Sequence, residues 1–142
     1  MQKISDIIKK GDHDIWSITP DHSAHDAAKL LLEKDIGALL VVQEGKLVGV
    51  VSERDLARKV LLSDKLAHDV KVSEIMSSKV ISSHAGSTVH ECMTMMTDRG
   101  IRHLPIMDGE RIVCVISLGD LVTSVIAEQK FLIEQLEHYI NG

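Results

Sequence analysis

Two short stretches carry residue types that could hold a phosphorylated ligand. Val50-Val51-Ser52-Glu53-Arg54-Asp55-Leu56 recurs as Val115-Ile116-Ser117-Leu118-Gly119-Asp120-Leu121, at the offset of 65 residues that separates Asp55 from Asp120. A Ser placed where a strand gives way to a helix can donate its hydroxyl to a phosphate oxygen, while the helix N-terminus adds free N–H groups and a positive partial charge. An Asp one turn later can accept hydrogen bonds from both hydroxyls of a ribose. The same Ser-x-x-Asp spacing is also a capping box, in which each side chain satisfies a backbone N–H of the other, so a structural reading stands beside the binding one. Arg54, Arg102 and His103 supply the counter-charge that phosphates in a partly buried site require. Arg102 and His103 stand where the first copy has Gly37 and Ala38, so the two sites are unequal and one occupied site per chain is expected.

The elements that position these residues are themselves duplicated. Residues 15–61 superimpose on 80–126 without a gap, and ten of the 47 positions are identical, among them Ser17/Ser82, His25/His90, Ile36/Ile101 and Leu39/Leu104. Each copy reads as strand, helix, strand, strand, helix. Ala24, Ala27, Ala28 and Leu31 fall at helical spacing, as do Val89, Cys92, Met93 and Met96, so one face of each first helix is apolar. Thr88-Val89-His90-Glu91 is a capping-box pattern at one helix start, and Ser23-Ala24-His25-Asp26 is its weaker counterpart at the other. Apolar runs at 38–42 and 104–107, turns at Glu44-Gly45 and Asp108-Gly109, and runs at 47–51 and 112–116 read as two hairpins. Second helices then begin near Glu53 and Leu118. A lone βαββα unit would expose an apolar sheet face. The expected fold is therefore α+β: two βαββα repeats, 9–62 and 76–127, packed sheet to sheet with pseudo-twofold symmetry in one module spanning 1–142, plus a C-terminal helical extension over 128–142. In the linker, Val72-Ser73-Glu74-Ile75-Met76 resembles Ile4-Ser5-Asp6-Ile7-Ile8 at the N-terminus. Phe131 or Leu132, Leu136, Tyr139 and Ile140 share one side of the last helix, a stripe that reads as a dimer contact.

Composition excludes several function classes. The 142 residues are 44% hydrophobic but only 2% aromatic, so the core must be aliphatic and stacking on rings cannot hold single-stranded nucleic acid. A net charge of −5 and a pI near 5.9 argue against a broad nucleic-acid or anionic-membrane surface. No apolar run approaches the ~18 to 20 residues of a membrane span, and the N-terminus lacks a secretory apolar region. Cys92 and Cys114 lie far apart with no zinc or redox spacing, which fits a reducing compartment, the cytoplasm, and places both in the core. His22 and His25, with Asp21 and Asp26, do not form a closed metal-ligand set. Trp16 reads as packing. Without a Gly-rich phosphate loop, a triad signature or paired carboxylates, no catalytic residues and no catalytic cofactor are assigned.

Gly49-Val50-Val51-Ser52-Glu53-Arg54-Asp55, its partner Cys114-Val115-Ile116-Ser117-Leu118-Gly119-Asp120, and Arg99-Gly100-Ile101-Arg102-His103-Leu104-Pro105-Ile106 together resemble the CBS-domain family. That family is named after a domain of cystathionine β-synthase, and its paired repeats form a Bateman module. The resemblance covers nearly the whole chain. It implies a non-catalytic regulatory module that binds an adenine nucleotide (AMP, ADP, ATP or NAD(H)) in the cleft between its halves and signals energy or redox state to a regulated protein that the sequence does not name. It also implies a homodimer. The adenine would lie among Ile18-Thr19-Pro20 and Ile36-Gly37-Ala38, or among Ser82-Ser83-His84 and Ile101, with the phosphates near Ser52, Arg54, Asp55, Arg102, His103, Ser117 and Asp120. Cys114 departs from the family's usual Gly. The alternative is an interaction or oligomerisation scaffold whose heptads only cap helices.

Overall fold

The apolar spacings close into two matching helices, α2 (Ala24–Lys34) and α5 (Val89–Arg99). The computed structural model, which describes residues 2–8 and 15–141, buries Ala24, Ala27 and Leu31 on one and Val89, Cys92 and Met96 on the other. Ala28 and Met93 are half-buried at the margins of these stripes. The helix starts reverse the ranking read from the sequence. The Asp26 N–H donates to Ser23 Oγ at 3.0 Å and the Ser23 N–H returns to Asp26 Oδ2 at 3.4 Å, closing the box, whereas at Thr88 only the Glu91 N–H bond to Oγ1, 3.0 Å, is made. His22 Nδ1 lies 3.1 Å from Asp26 Oδ2 and steadies that carboxylate over the helix start; the longer Glu91 side chain stays exposed with more rotamer freedom to lose.

The first sheet has the order β1-β2-β3, from β1 (Ser17–Ile18), β2 (Ala38–Gln43) and β3 (Lys46–Ser52). β1 is parallel to β2, β3 is antiparallel, and Ala38 sits opposite Ser52. The second sheet contains β4 (His103–Asp108) and β5 (Arg111–Ser117). Its first strand shrinks to a single parallel bridge between Ser83 and Ile106, the counterpart of Ile18 with Val41. Glu44 and Gly45 turn the first hairpin, both at positive φ. The second hairpin turns at 109–110, one residue later than expected, because Asp108 stays in β4. β3 runs into α3 (Glu53–Leu56), prolonged by a π-helical turn at Ala57–Leu61. After a short 3₁₀ turn at Ala67–Asp69 comes α4 (Val72–Ile75). β5 runs into α6 (Leu118–Asn141), 24 residues that pass through 127–128 without a break. The expected start of the first repeat at residue 9 lies outside the described residues. Among them, no helix is long and apolar enough to cross a membrane.

The chain forms two units, one of 14–81 with 109–112 and the other of 1–13, 82–108 and 113–142. The membership of α1 (Ile4–Ile8) explains the likeness between the N-terminus and the linker. In the first-repeat unit the Ala24 N–H donates to the Val70 carbonyl (2.7 Å), Val72 to His22 (2.8 Å) and Ser73 to Pro20 (2.9 Å). In the other, Val89 donates to Gln2 (3.0 Å), Ile4 to Ser87 (2.9 Å) and Ser5 to Ala85 (2.9 Å). The two sets match bond for bond. The linker is thus an arm on the first repeat, and the N-terminal segment is the same arm on the second. Each arm also caps itself, Lys71 N–H on Glu74 Oε2 at 2.7 Å and Lys3 N–H on Asp6 Oδ2 at 2.9 Å.

Both cores are aliphatic and sulfur-containing, as the scarcity of rings requires. Leu31, Leu39, Val41, Val51, Val72 and Ile75 belong to the first, with Trp16 half-buried against it and the Lys34 ammonium 4.1 Å from its ring centre. Ile4, Cys92, Met96, Leu104, Ile106, Cys114, Ile116 and Leu121 are buried in the second unit. Gly49 is needed where the arm approaches: a Cβ there would stand 2.6 Å from Met76 Sδ and 3.0 Å from the Ser77 carbonyl, while Val50 and Ser77 exchange two backbone bonds. Gly49→Ala should therefore cost about 1–3 kcal/mol through overpacking, read as a lower urea midpoint at unchanged slope. Truncating the wholly buried Ile4 to Ala should cost about 2–4 kcal/mol. In hydrogen exchange the loss should appear first in the amides of 82–108, which that arm covers. Burial first, and the Asp120 charge second, push the Cys114 thiol up to about 11 from its ordinary 9.0. It should resist a thiol reagent at pH 8 until urea unfolds the chain. Because the unfolded thiol ionises first, its contribution to stability is complete below pH 9 and falls away between pH 9 and 11.

Candidate functional site

The first four N–H groups of a helix have no partner within the helix, so the binding capacity of each strand–helix junction depends on how many of them the protein itself satisfies. At the first junction the Ser52 N–H donates to Asp55 Oδ2 (2.9 Å), the Glu53 N–H to the Gly37 carbonyl (3.0 Å), and the Asp55 N–H to Ser52 Oγ (3.2 Å). The Ser52 hydroxyl itself turns inward to Asp55 Oδ2 at 3.0 Å. Asp55 Oδ1 faces Lys59 Nζ at 3.6 Å, and Lys59 also donates to the Ile75 carbonyl at the end of α4, 2.9 Å away. The first Ser-x-x-Asp copy is thus a closed capping box with its carboxylate held from both sides.

The second junction keeps the cap and leaves more open. The Ser117 N–H donates to Asp120 Oδ2 (3.0 Å), the Asp120 N–H to Ser117 Oγ (3.1 Å), and the Leu118 N–H to the Arg102 carbonyl (2.8 Å). Ser124 occupies the place of Lys59 and spends its hydroxyl on Gln2 Oε1 at 2.8 Å, so among the described residues no cation reaches Asp120. Asp120 is exposed, whereas the Asp55 side chain is 21% exposed. Gly119 stands where the first copy has Arg54. Its φ needs no glycine, and an added Cβ would meet only Ser117 Oγ at 3.7 Å, so neither backbone nor packing accounts for it. Its N–H has no acceptor among the described residues.

Of the residues singled out by sequence, Gly37, Ala38, Ser52, Arg54 and Asp55 come together at the first junction, since Ala38 opens β2 opposite Ser52. Arg102, His103, Ser117 and Asp120 come together at the second, with Arg102 exposed and His103 half-buried at the start of β4. Ile101 is half-buried and its N–H closes α5 onto the Met96 carbonyl at 3.0 Å. Ile18, Thr19 and Pro20 do not join them. β1 runs parallel to β2 with Ile18 beside Val41, so Thr19 lies about four residues, roughly 13 Å, along the sheet from Ala38. Ile18 is core, Pro20 is buried and bonded to the arm, and Thr19 opens on a groove of about 620 Å³ shared with His22, Asp26, Lys29, Glu33 and Glu44. On the junction side β1 begins at Ser17, level with Leu40, and the carbonyl of the preceding Trp16 accepts from the Leu40 N–H at 3.3 Å. Sequence reasoning also missed Lys59 and Gly119. The spacing of Asp55 and Lys59, i and i+4 on a helix, was the available signal for the first.

The profile described as CBS domain matches residues 4–62 and again 72–127, each span opening on an arm. The CBS domain-containing protein CBSX3, mitochondrial, of Arabidopsis thaliana is 33% identical over 98% of this chain and 72% of its own length. The CBS-domain crystal structure NE2398 superimposes with a TM-score of 0.84 at 35% identity, covering 88% of this chain and 98% of that one. The CBS domain pair of protein MJ0100, solved with 5′-methylthioadenosine and S-adenosyl-L-methionine, superimposes at 0.74 with 26% identity over 91% of this chain and 98% of its own. With two matched copies spanning most of its length, this chain belongs to the CBS-domain family.

Proposed function

We propose that this CBS-domain pair is a non-catalytic regulatory module that binds an adenine nucleotide (AMP, ADP, ATP or NAD(H)) at its second strand–helix junction and signals energy or redox state to a partner protein. The observation that carries this reading is the asymmetry of the two junctions. Among the described residues nothing engages Asp120 Oδ1, which leaves it for a ribose hydroxyl; the Gly119 N–H can donate to a phosphate, and Arg102 brings positive charge to the same strand end beside the His103 imidazole. At the first junction the same ligand would have to displace the bonds of Ser52 and Lys59 to Asp55. The adenosyl ligands of the MJ0100 pair support the ligand class. We further propose that the protein acts as a homodimer in a reducing compartment such as the cytoplasm, which the two free, buried cysteines favour.

One observation favours the scaffold reading instead: both Ser-x-x-Asp motifs serve as caps. The two readings separate in thermal melts with millimolar AMP, ATP, NAD and NADH, since a ligand that binds only the folded state raises the melting temperature. The expected outcome is a rise with at least one of them, retained in Asp55→Ala and lost in Asp120→Ala, each variant compared with its own ligand-free melt because losing a cap costs about 1 kcal/mol. Gly119→Ala should fold normally and bind more weakly. No shift with any nucleotide selects the scaffold, and a shift lost only in Asp55→Ala moves the site to the first junction.

A further inference from the structure

We infer that the C-terminal half of α6 pairs with the same segment of a second copy as a short antiparallel coiled coil. The inference rests on the homodimer reading above and names its surface. α6 docks on its own unit through its first two turns, where Leu121 is buried and Ser124 is bonded to Gln2. From 126 to 141 every residue is exposed. A solitary helical stretch of about that length is marginal in water unless its apolar face is covered. Val122, Ile126, Gln129, Ile133, Leu136 and Ile140 follow one another in alternating steps of four and three, the heptad seam of a coiled coil. Ile126, Ile133 and Ile140 take the a places and Val122 and Leu136 two of the d places, so the seam is aliphatic everywhere but Gln129. Ile126, Ile133, Leu136 and Ile140 are 51, 54, 62 and 78% exposed.

The residues flanking the seam select both partner and direction. Lys130 and Glu137 are both at e, while Val125, Leu132 and Tyr139 are at g. In a parallel pair each e position faces a g position, which would set both charges against apolar side chains. In an antiparallel pair e faces e and g faces g. Lys130 then meets Glu137 of the second copy, the apolar g residues widen the seam on the other side, and Ile133 stacks on Leu136 of the second copy. With Ile133 on Leu136 the paired stretch runs from Gln129 to Ile140, where a second copy satisfies both flanks, and the exposed ion pairs set direction more than strength.

Two single variants of the full chain, Ile133→Cys and Leu136→Cys, test this by disulfide formation under mild oxidation, since Cys92 and Cys114 are buried. Mixed together they should give a covalent heterodimer, identified by mass, in excess of the homodimers formed by either alone. Leu136→Asp should weaken self-association at least roughly tenfold in sedimentation equilibrium and lower helical circular dichroism. Homodimers formed preferentially by each variant alone would replace the antiparallel arrangement with a parallel one. If no cross-links form while Leu136→Asp keeps the wild-type dimer mass, the helix pairing is overturned and the homodimer reading survives. A monomeric wild-type chain overturns both.

Discussion

Six backbone hydrogen bonds, three in each unit, decide what the rest of the chain can do. A strand–helix–hairpin–helix unit of about fifty residues has too little surface to bury on its own, and its first helix begins at an open backbone edge. The arms close that edge: 70–73 pairs with 20–24, and residues 2–5 pair with 85–89. Once an arm is seated, its buried aliphatic residues, Val72 and Ile75 on one side and Ile4 on the other, complete the core under the sheet. Gly49 follows from the same contact, because the chain at Met76 and Ser77 comes too close to β3 for any side chain at that position. Cap, core and glycine are three expressions of one backbone pairing.

The candidate site is shaped by a competition for the same few atoms. A capping Ser and its Asp stabilise the helix by spending the groups that a nucleotide would want, and a cap is worth about 1 kcal/mol whether or not ligand is present. Duplication relaxes the competition. At the first junction Lys59 ties the Asp55 carboxylate to the end of α4. The second has Ser124 in place of that lysine, Gly119 in place of Arg54, and Arg102 and His103 at or beside the adjoining strand where the first has Gly37 and Ala38. The second junction keeps its cap while, among the described residues, one carboxylate oxygen and one N–H stay unspent, so it remains folded without drawing on every group it has.

Most of the fold was legible because its signals are local. Helical spacing marked α2 and α5, β-branched runs and turn residues marked the hairpins, and the fixed offset of 65 residues tied the copies together. What was not legible depended on long-range pairing. The likeness of residues 4–8 to 72–76 was visible, but nothing local says that the first of these segments folds onto the second repeat. The shrinkage of the second repeat's first strand to a bridge at Ser83 is a tertiary outcome of the same kind. At the site, the Ser and Asp positions were read correctly as helix-start residues, while Ile18, Thr19 and Pro20 were grouped with them although the parallel register of β1 carries them to the other end of the sheet. Register, not residue type, separates those two groups.

The arms are crossed with respect to the order of the chain. In sequence the order is arm, body, arm, body; in space each arm lies on the body that does not follow it. The first body carries its arm directly after it, within 15–76, whereas the second body takes its arm from residues 2–5, so the whole first repeat lies between two segments that must pair. Closing the second repeat is therefore the more non-local of the two events, since its arm must return across a sequence separation of about eighty residues before that core is complete.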